Sequence, residues 1–339
     1  MKKRGYFALF LIFLLLPAVL NAELRKIVSF GSNAPDYLFF SISGAALDEG
    51  GNIYIYDSIG SFIRKYDAAG RFVKEIGRHG QGPGEFSNLL SGLCIDRDLH
   101  LLDGGNNRIV KLDPELNIHK YISIRQQAHG LAKIGGRYYM LARRNNEPFP
   151  GIVSYDEDGN QIKDFFDQHP GWAALPPSRM DFPFFMMYSD LNLAVDKETN
   201  ELAVAYKYPD KKIEVFFYTP DGVFSRKLVA DHLVSYEFPS FRIRRPVRYP
   251  SSSKLVYIRS LHYLKDGKLL LEYWVENYEA DRAKDHKLYL LVIDSHTGRI
   301  MHKESVGWIM NILDVHNNLV CAREEEGDIP KVVLYRFNY

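Results

Sequence analysis

The sequence predicts an all-β chain, a six-bladed β-propeller of four-stranded blades. Three observations carry this. Short apolar strands end in Asp-containing turns all along the chain. Those turns recur at blade spacing, 46 residues from Asp67 to Asp113 and 43 from Asp113 to Asp156, which is the period of propeller repeats. The two ends are also complementary. A spare strand at residues 24–30 precedes the first blade, and the last blade has only three strands of its own. Pairing the two closes the ring and removes its exposed sheet edges.

The first blade is the clearest. Residues 42–48 form an apolar strand ending in Asp48, and a Gly-Gly-Asn turn follows. Ile53–Asp57, Phe62–Tyr66 and Arg71–Ile76 supply three more strands, the last two joined by Asp-Ala-Ala-Gly. Asp and Gly are there for turn geometry: an Asp side chain bonds the local backbone, and Gly tolerates positive φ. Further blades are expected at about 90–124, 128–166, 188–229 and 259–304. The last uses 309–315, 318–324 and 332–337, completed by the N-terminal strand. In blade five a long internal loop is expected over Glu276–His286.

Composition agrees. Of the 339 residues, 46% are hydrophobic and 25% charged, enough material for a large core. Aromatic content of 14% favours pleated, half-buried strands. The net charge of +1 gives no bulk field for nucleic acid or an anionic membrane.

Residues 1–22 read as a secretory signal peptide. Lys2, Lys3 and Arg4 are the basic start, an apolar run follows, and Ala22 is the cleavage position. An uncleaved anchor is the alternative, because residues 5–22 just suffice to span a bilayer. The mature chain is then an exported, periplasmic or extracellular monomer with no membrane span. It forms a single propeller domain over 23–339, with insertions at about 168–187 and 233–253. Cys94 and Cys321 sit in apolar strands far apart and are expected to be free thiols.

Residues 77–86 read GRHGQGPGEF, followed by Gly92-Leu93-Cys94-Ile95-Asp96 and then Asp103-Gly104-Gly105-Asn106-Asn107-Arg108-Ile109. This linker and the D-x-x-N-x-R-I pattern resemble the NHL repeat family across roughly residues 40–125. The chain as a whole looks like the exported six-bladed propellers of bacteria, a group of unsettled function. The linker glycines reverse the chain between blades, and Phe86 is expected to plug the gap between two of them. Gly77, Gly80 and Gly82 are not a nucleotide loop, because no helix follows to face a phosphate. Asp57 and Asp103 recur at one repeat position and are expected to brace their turns, with Arg64 and Arg108 as partners.

Function is expected where the inner strands begin, at the ring's central opening. Ser41, Ser91, Gln127, His129, Tyr188, Asp190, Arg259, His262, Trp308 and Asn311 stand there. Of these His129, Tyr188, Asp190, Arg259, His262 and Asn311 are the ligand-binding candidates. The leading reading is a binding scaffold for a protein, peptide or glycan on the rim or central opening, with no cofactor. The alternative is a metal-dependent enzyme, as the resemblance to other propellers implies. A lactonase needs hard oxygen ligands for Ca²⁺; Asp190 and Asn311 supply two and no Glu the third. A lyase with Zn²⁺ would use His129 and His262, with Arg259 and Tyr188 as partners. Neither has a local motif, so catalysis ranks behind binding. Arg242, Arg244, Arg245 and Arg248, interleaved with Phe241 and Tyr249, form a candidate binding surface. Export and the neutral charge oppose nucleic acid, whereas Arg beside Tyr and Phe also suits an acidic glycan or a protein; a solvated loop pairing with Glu324, Glu325 and Glu326 is the equal alternative.

Overall fold

The computed structural model describes residues 23–87, 92–143, 150–166, 191–207, 209, 212–230, 253–279, 282–307, 310–326 and 329–338. The expected leader over 1–22 lies outside them. So do the two insertions, apart from Ser253.

The chain is a six-bladed β-propeller. A first strand, β1 (Glu23–Phe30), leads into blade one: β2 (Ile42–Leu47), β3 (Ile53–Asp57), β4 (Phe62–Tyr66) and β5 (Phe72–Ile76). Blade two is β6 (Gly92–Ile95), β7 (Leu99–Asp103), β8 (Arg108–Leu112) and β9 (Ile118–Ser123). Blade three is β10 (Ala128–Ile134), β11 (Arg137–Arg143), β12 (Pro150–Tyr155) and β13 (Gln161–Phe165). Blade four comprises β14 (Leu191–Asp196), β15 (Glu201–Tyr206), β16 (Ile213–Tyr218) and β17 (Phe224–Ala230). Blade five comprises β18 (Ser253–Leu264), β19 (Lys268–Glu279), β20 (Arg282–Asp294) and β21 (Ile300–Val306). Blade six has β22 (Met310–His316), β23 (Leu319–Glu326) and β24 (Ile329–Asn338), and β1 pairs antiparallel with β24 to complete it. The first strands β2, β6, β10, β14, β18 and β22 touch one another in a closed circuit, so they are the inner strands around the axis.

The core lies between blades rather than within them. Successive residues of a strand point to opposite faces, so each blade is apolar on both. Tyr54, Tyr56 and Ile63 of blade one pack on Leu99, Leu101 and Val110 of blade two. Ile53 and Ile55 face the other way, onto Val332 and Leu334 of blade six. Phe86 is fully buried in the first of these seams, as the linker pattern implies. The linker is tied back on itself: the Phe86 N–H donates to the Arg78 carbonyl at 2.8 Å, and the Gly80 N–H donates to the Phe86 carbonyl at 3.1 Å. Gly77, at φ +112°, has no room for a side chain, since a Cβ would stand 2.7 Å from the Ser61 carbonyl oxygen and collide with Phe86.

Two expectations are corrected. Residues 276–279 and 282–286 are strand rather than loop. β19 and β20 pair in register out to Glu279 and Arg282, so blade five carries a long hairpin. The alternating, aromatic-rich run through Tyr273 and Trp274 continues the strand instead of breaking it. At its far end Tyr278 pairs with Ser253 at the start of β18, on the side where the inner strands begin. Arg64 does not pair with Asp57. Its guanidinium donates to Glu75 at 2.6 Å and to the Leu38 carbonyl at 2.7 Å. The Asp57 carboxylate instead accepts the Phe40, Ser41 and Gly60 N–H groups at 2.6, 2.9 and 2.8 Å. Arg108 does bond Asp103, at 2.8 Å. The difference is register: Arg108 faces Asp103 across β7–β8, whereas Phe62 holds that place opposite Asp57.

Cutting Phe86 to Ala leaves a cavity in the seam between the first two blades and is expected to cost about 3–5 kcal/mol, read as a lowered urea midpoint with unchanged slope.

Candidate functional site

The inner strands enclose a cavity of about 300 Å³ on the ring axis, and all six contribute to it. One edge of each inner strand has no neighbour in its own sheet. Part of the wall is therefore backbone, kept open by Gly44, Gly92 and Gly130. Gly92 is required there, since a Cβ would lie 2.6 Å from the Leu131 nitrogen.

One position distinguishes the blades. On the face toward the following blade, blades one, three and four place Ala46, Ala132 and Ala194, and blade two places Cys94. Blades five and six place His262 and Asp314 there instead. Both side chains reach the backbone of the next inner strand. His262 hydrogen-bonds the Ile312 backbone, and the Asp314 carboxylate accepts the Leu47 N–H at 2.7 Å. Desolvation in the narrow channel pulls the His262 imidazole down to about 4, against that bond to Ile312. Desolvation also pushes the Asp314 carboxyl up to about 6, opposed by the Leu47 N–H and by Lys197.

Next to Asp314 lie two neutral groups. Desolvation lowers His316, with the Lys197 charge acting the same way. Burial raises the Cys94 thiol to about 12, although Lys197 opposes this. Both cysteines are free. Lys133, 7% exposed, is held at 3.0 Å by both Asp96 and Glu157. Lys197 behaves differently. It follows β14 in blade four, yet its amine donates to the Ile95 carbonyl of blade two at 2.6 Å. Blade three is skipped, so the side chain crosses the channel mouth at which the inner strands end.

Glu272 lies behind the channel wall, fully buried between blades five and six. Its carboxylate accepts the Ile312 N–H at 2.9 Å and the Ser260 hydroxyl at 3.2 Å. Its other oxygen has no hydrogen-bond partner and stands 3.8 Å from Arg259. Desolvation lifts its pKa to about 7, opposed by Arg259, the Ile312 N–H and Ser260.

Of the six candidates read from the sequence, His262 lines the cavity. His129, Arg259 and Asn311 are half-buried on three different blades, on the strand-start side of it. The Arg259 guanidinium is occupied in the seam, donating to the Met310 carbonyl at 2.9 Å and lying 4.6 Å from the Trp274 ring. Tyr188, Asp190, Ser91 and Trp308 lie outside the described residues, as do Arg242, Arg244, Arg245 and Arg248. Among the described residues no three His, Cys, Asp or Glu side chains are grouped to share a metal ion, and no helix is long and apolar enough to cross a membrane. Sequence reading missed Lys197, Asp314 and Glu272. For Asp314 a signal existed: aligned by repeat, it stands where blades one to four carry Ala or Cys.

Comparison with known proteins agrees on architecture. The DUF5128 family model, described as a 6-bladed beta-propeller, matches residues 36–133. That is the stretch whose motifs resemble NHL repeats, and the match is to a six-bladed propeller family. No curated protein matches the sequence. Among solved structures, a DUF4221 family member from Bacteroides vulgatus is 11% identical with a TM-score of 0.57, covering 94% of this chain and 98% of its own. A Bacteroides fragilis protein named as exported is 13% identical with a TM-score of 0.56, covering 94% and 96%. A virginiamycin B lyase from Staphylococcus aureus is 9% identical with a TM-score of 0.45, covering 92% and 99%. At these identities the likeness is one of fold, and no chemistry passes to this chain.

The blade five–six seam has a pH signature. The folded pKa of Glu272, about 7, lies above its ordinary 4.5, so the folded state keeps a proton that the unfolded chain releases. The stability this gives is full below about pH 4.5 and is lost as pH rises through 7. Asp314 acts with the same sign between 3.8 and about 6. His262 acts oppositely, its contribution lost as pH falls from 6.5 through about 4. Between pH 5 and 8 the Glu272→Gln variant should therefore lose less stability than the parent, measured as urea unfolding at each pH.

Proposed function

We propose that this protein is an exported binding scaffold that holds one residue-sized part of a peptide, protein or glycan in its central channel. The carrying observation is the axial cavity of about 300 Å³ to which every inner strand contributes. A concave site with placed polar groups is what small-ligand recognition uses. Leu93, Leu131, Leu193 and Leu313 supply apolar wall, while Lys197 and Asp314 supply polar anchors.

Two further features support the reading. The long hairpin of blade five stands at the strand-start side of the channel, where it extends the surface for a larger partner. Trp274 and His286 stack on it, with ring centres 4.9 Å apart. Export rests on the leader pattern at residues 1–22, and a protein of similar fold is named as exported. The candidates outside the described residues, Tyr188, Asp190 and the arginines at 242–248, belong to the same proposal as rim contacts.

The test fills the channel. Leu193 is half-buried in its wall, and Leu193→Trp occupies the cavity. Val73→Glu on the outer strand β5 is the control, at a side chain already 47% exposed. A glycan array and a peptide library are screened with the parent. Leu193→Trp is expected to bind the hits at least tenfold more weakly, with unchanged circular dichroism, while Val73→Glu binds normally. Equal binding by Leu193→Trp would place the ligand elsewhere.

A further inference from the structure

Lys197 is out of keeping with the other charged groups along the channel. Lys133 has two carboxylates at 3.0 Å. Asp314 is engaged by the Leu47 N–H. His262 and His316 are held toward their neutral forms, and the Cys94 thiol stays protonated at physiological pH. Lys197 alone places an ammonium across the channel on a backbone oxygen, the Ile95 carbonyl. An ammonium has three donors, so two are left over, and no carboxylate of the described residues pairs with it. The bond to Ile95 fixes where those donors are, because it ties a flexible side chain to a strand two blades away. A held cation that feels Asp96 and Asp314 only at a distance, at the end of a small concave site, is an anion anchor.

We infer that the channel takes an organic carboxylate, its charged group on the Lys197 amine and a hydrogen-bond donor of the same ligand directed to the Asp314 carboxylate. This rests on the channel-binding reading above and names its ligand class. Size restricts the ligand further: about 300 Å³ admits one sugar acid or one residue at a chain end. A carboxylate is favoured over a phosphate dianion because Asp314 is close enough for its charge and that of Lys197 to affect each other. It would repel the second negative charge. The same carboxylate chemistry reaches the channel from two sources, an acidic sugar or the C-terminal residue of a peptide.

Calorimetry with matched probes separates them. Galacturonate is compared with galactose, and N-acetylalanine with its amide, on the full mature chain. The acid of at least one pair is expected to bind at least tenfold more tightly than its neutral partner, and the pair that does so identifies the source. Lys197→Met should lose at least tenfold of that affinity, and Lys197→Arg, which keeps the charge, should retain most of it. Lys197 is exposed, so neither variant disturbs the core. Equal binding of acid and neutral members, no binding of either acid, or full affinity in Lys197→Met would each overturn the inference. If the acids fail while array hits are still lost in Leu193→Trp, the channel remains the site and only the carboxylate assignment falls.

Discussion

A ring of sheets has to be shut, and the pairing of β1 with β24 shuts this one. Seven register pairs join Glu23–Phe30 to Val332–Asn338, so the two ends of the chain share one blade. Without that closure blade six would be a three-stranded sheet with β24 as a bare edge. The Asp314 bond to Leu47 crosses that same joint. Local hairpins make each blade, but a contact between residues some three hundred positions apart makes the channel. Such a contact forms at the cost of a long loop closure, which grows only slowly with length.

The ring is uneven. Blades one and two, and blades three and four, meet through apolar seams, and blade two adds His100, buried against the Tyr138 hydroxyl of blade three. Blades five and six meet through a buried carboxylate, a buried serine, a histidine and an arginine gathered around Met310 and Ile312. A bulge in β22 falls between Ile312 and Asp314, and polar side chains of blade five bond the Ile312 backbone beside it. Buried polar groups of this kind are costly unless satisfied, and one Glu272 oxygen is not. The seam gives up stability, and beside it His262 lines the channel.

Most of the fold was legible because it is local. Asp67, Asp113, Asp156 and Asp294 announce their turns, and each bonds the turn backbone as that pattern implies. Phe86 is readable for a similar reason, since the glycines around it have one geometric purpose. The site was less legible because it is set by register. Bulges at Ile42/Gly44, His129/Ala132, Ile258/Ser260 and Ile312/Asp314 offset the inner strands by different amounts. Which residue reaches the axis therefore does not follow from counting. Arg259 looks like a mouth residue and turns into the seam. Lys197 looks like an exposed turn lysine and crosses the channel. Glu276–His286 is rich in charge, which reads as loop, yet its pairing continues the sheet.

The central claim is that ligand binds on the axis, against the free edges of the inner strands. Hydrogen–deuterium exchange with and without an array-identified ligand tests it most directly, because those edges include backbone N–H groups with no partner in their own sheet. The account predicts slower exchange concentrated in β2, β6, β10, β14, β18 and β22. Slowing confined to the outer strands β5, β9, β13, β17 and β21 would contradict it.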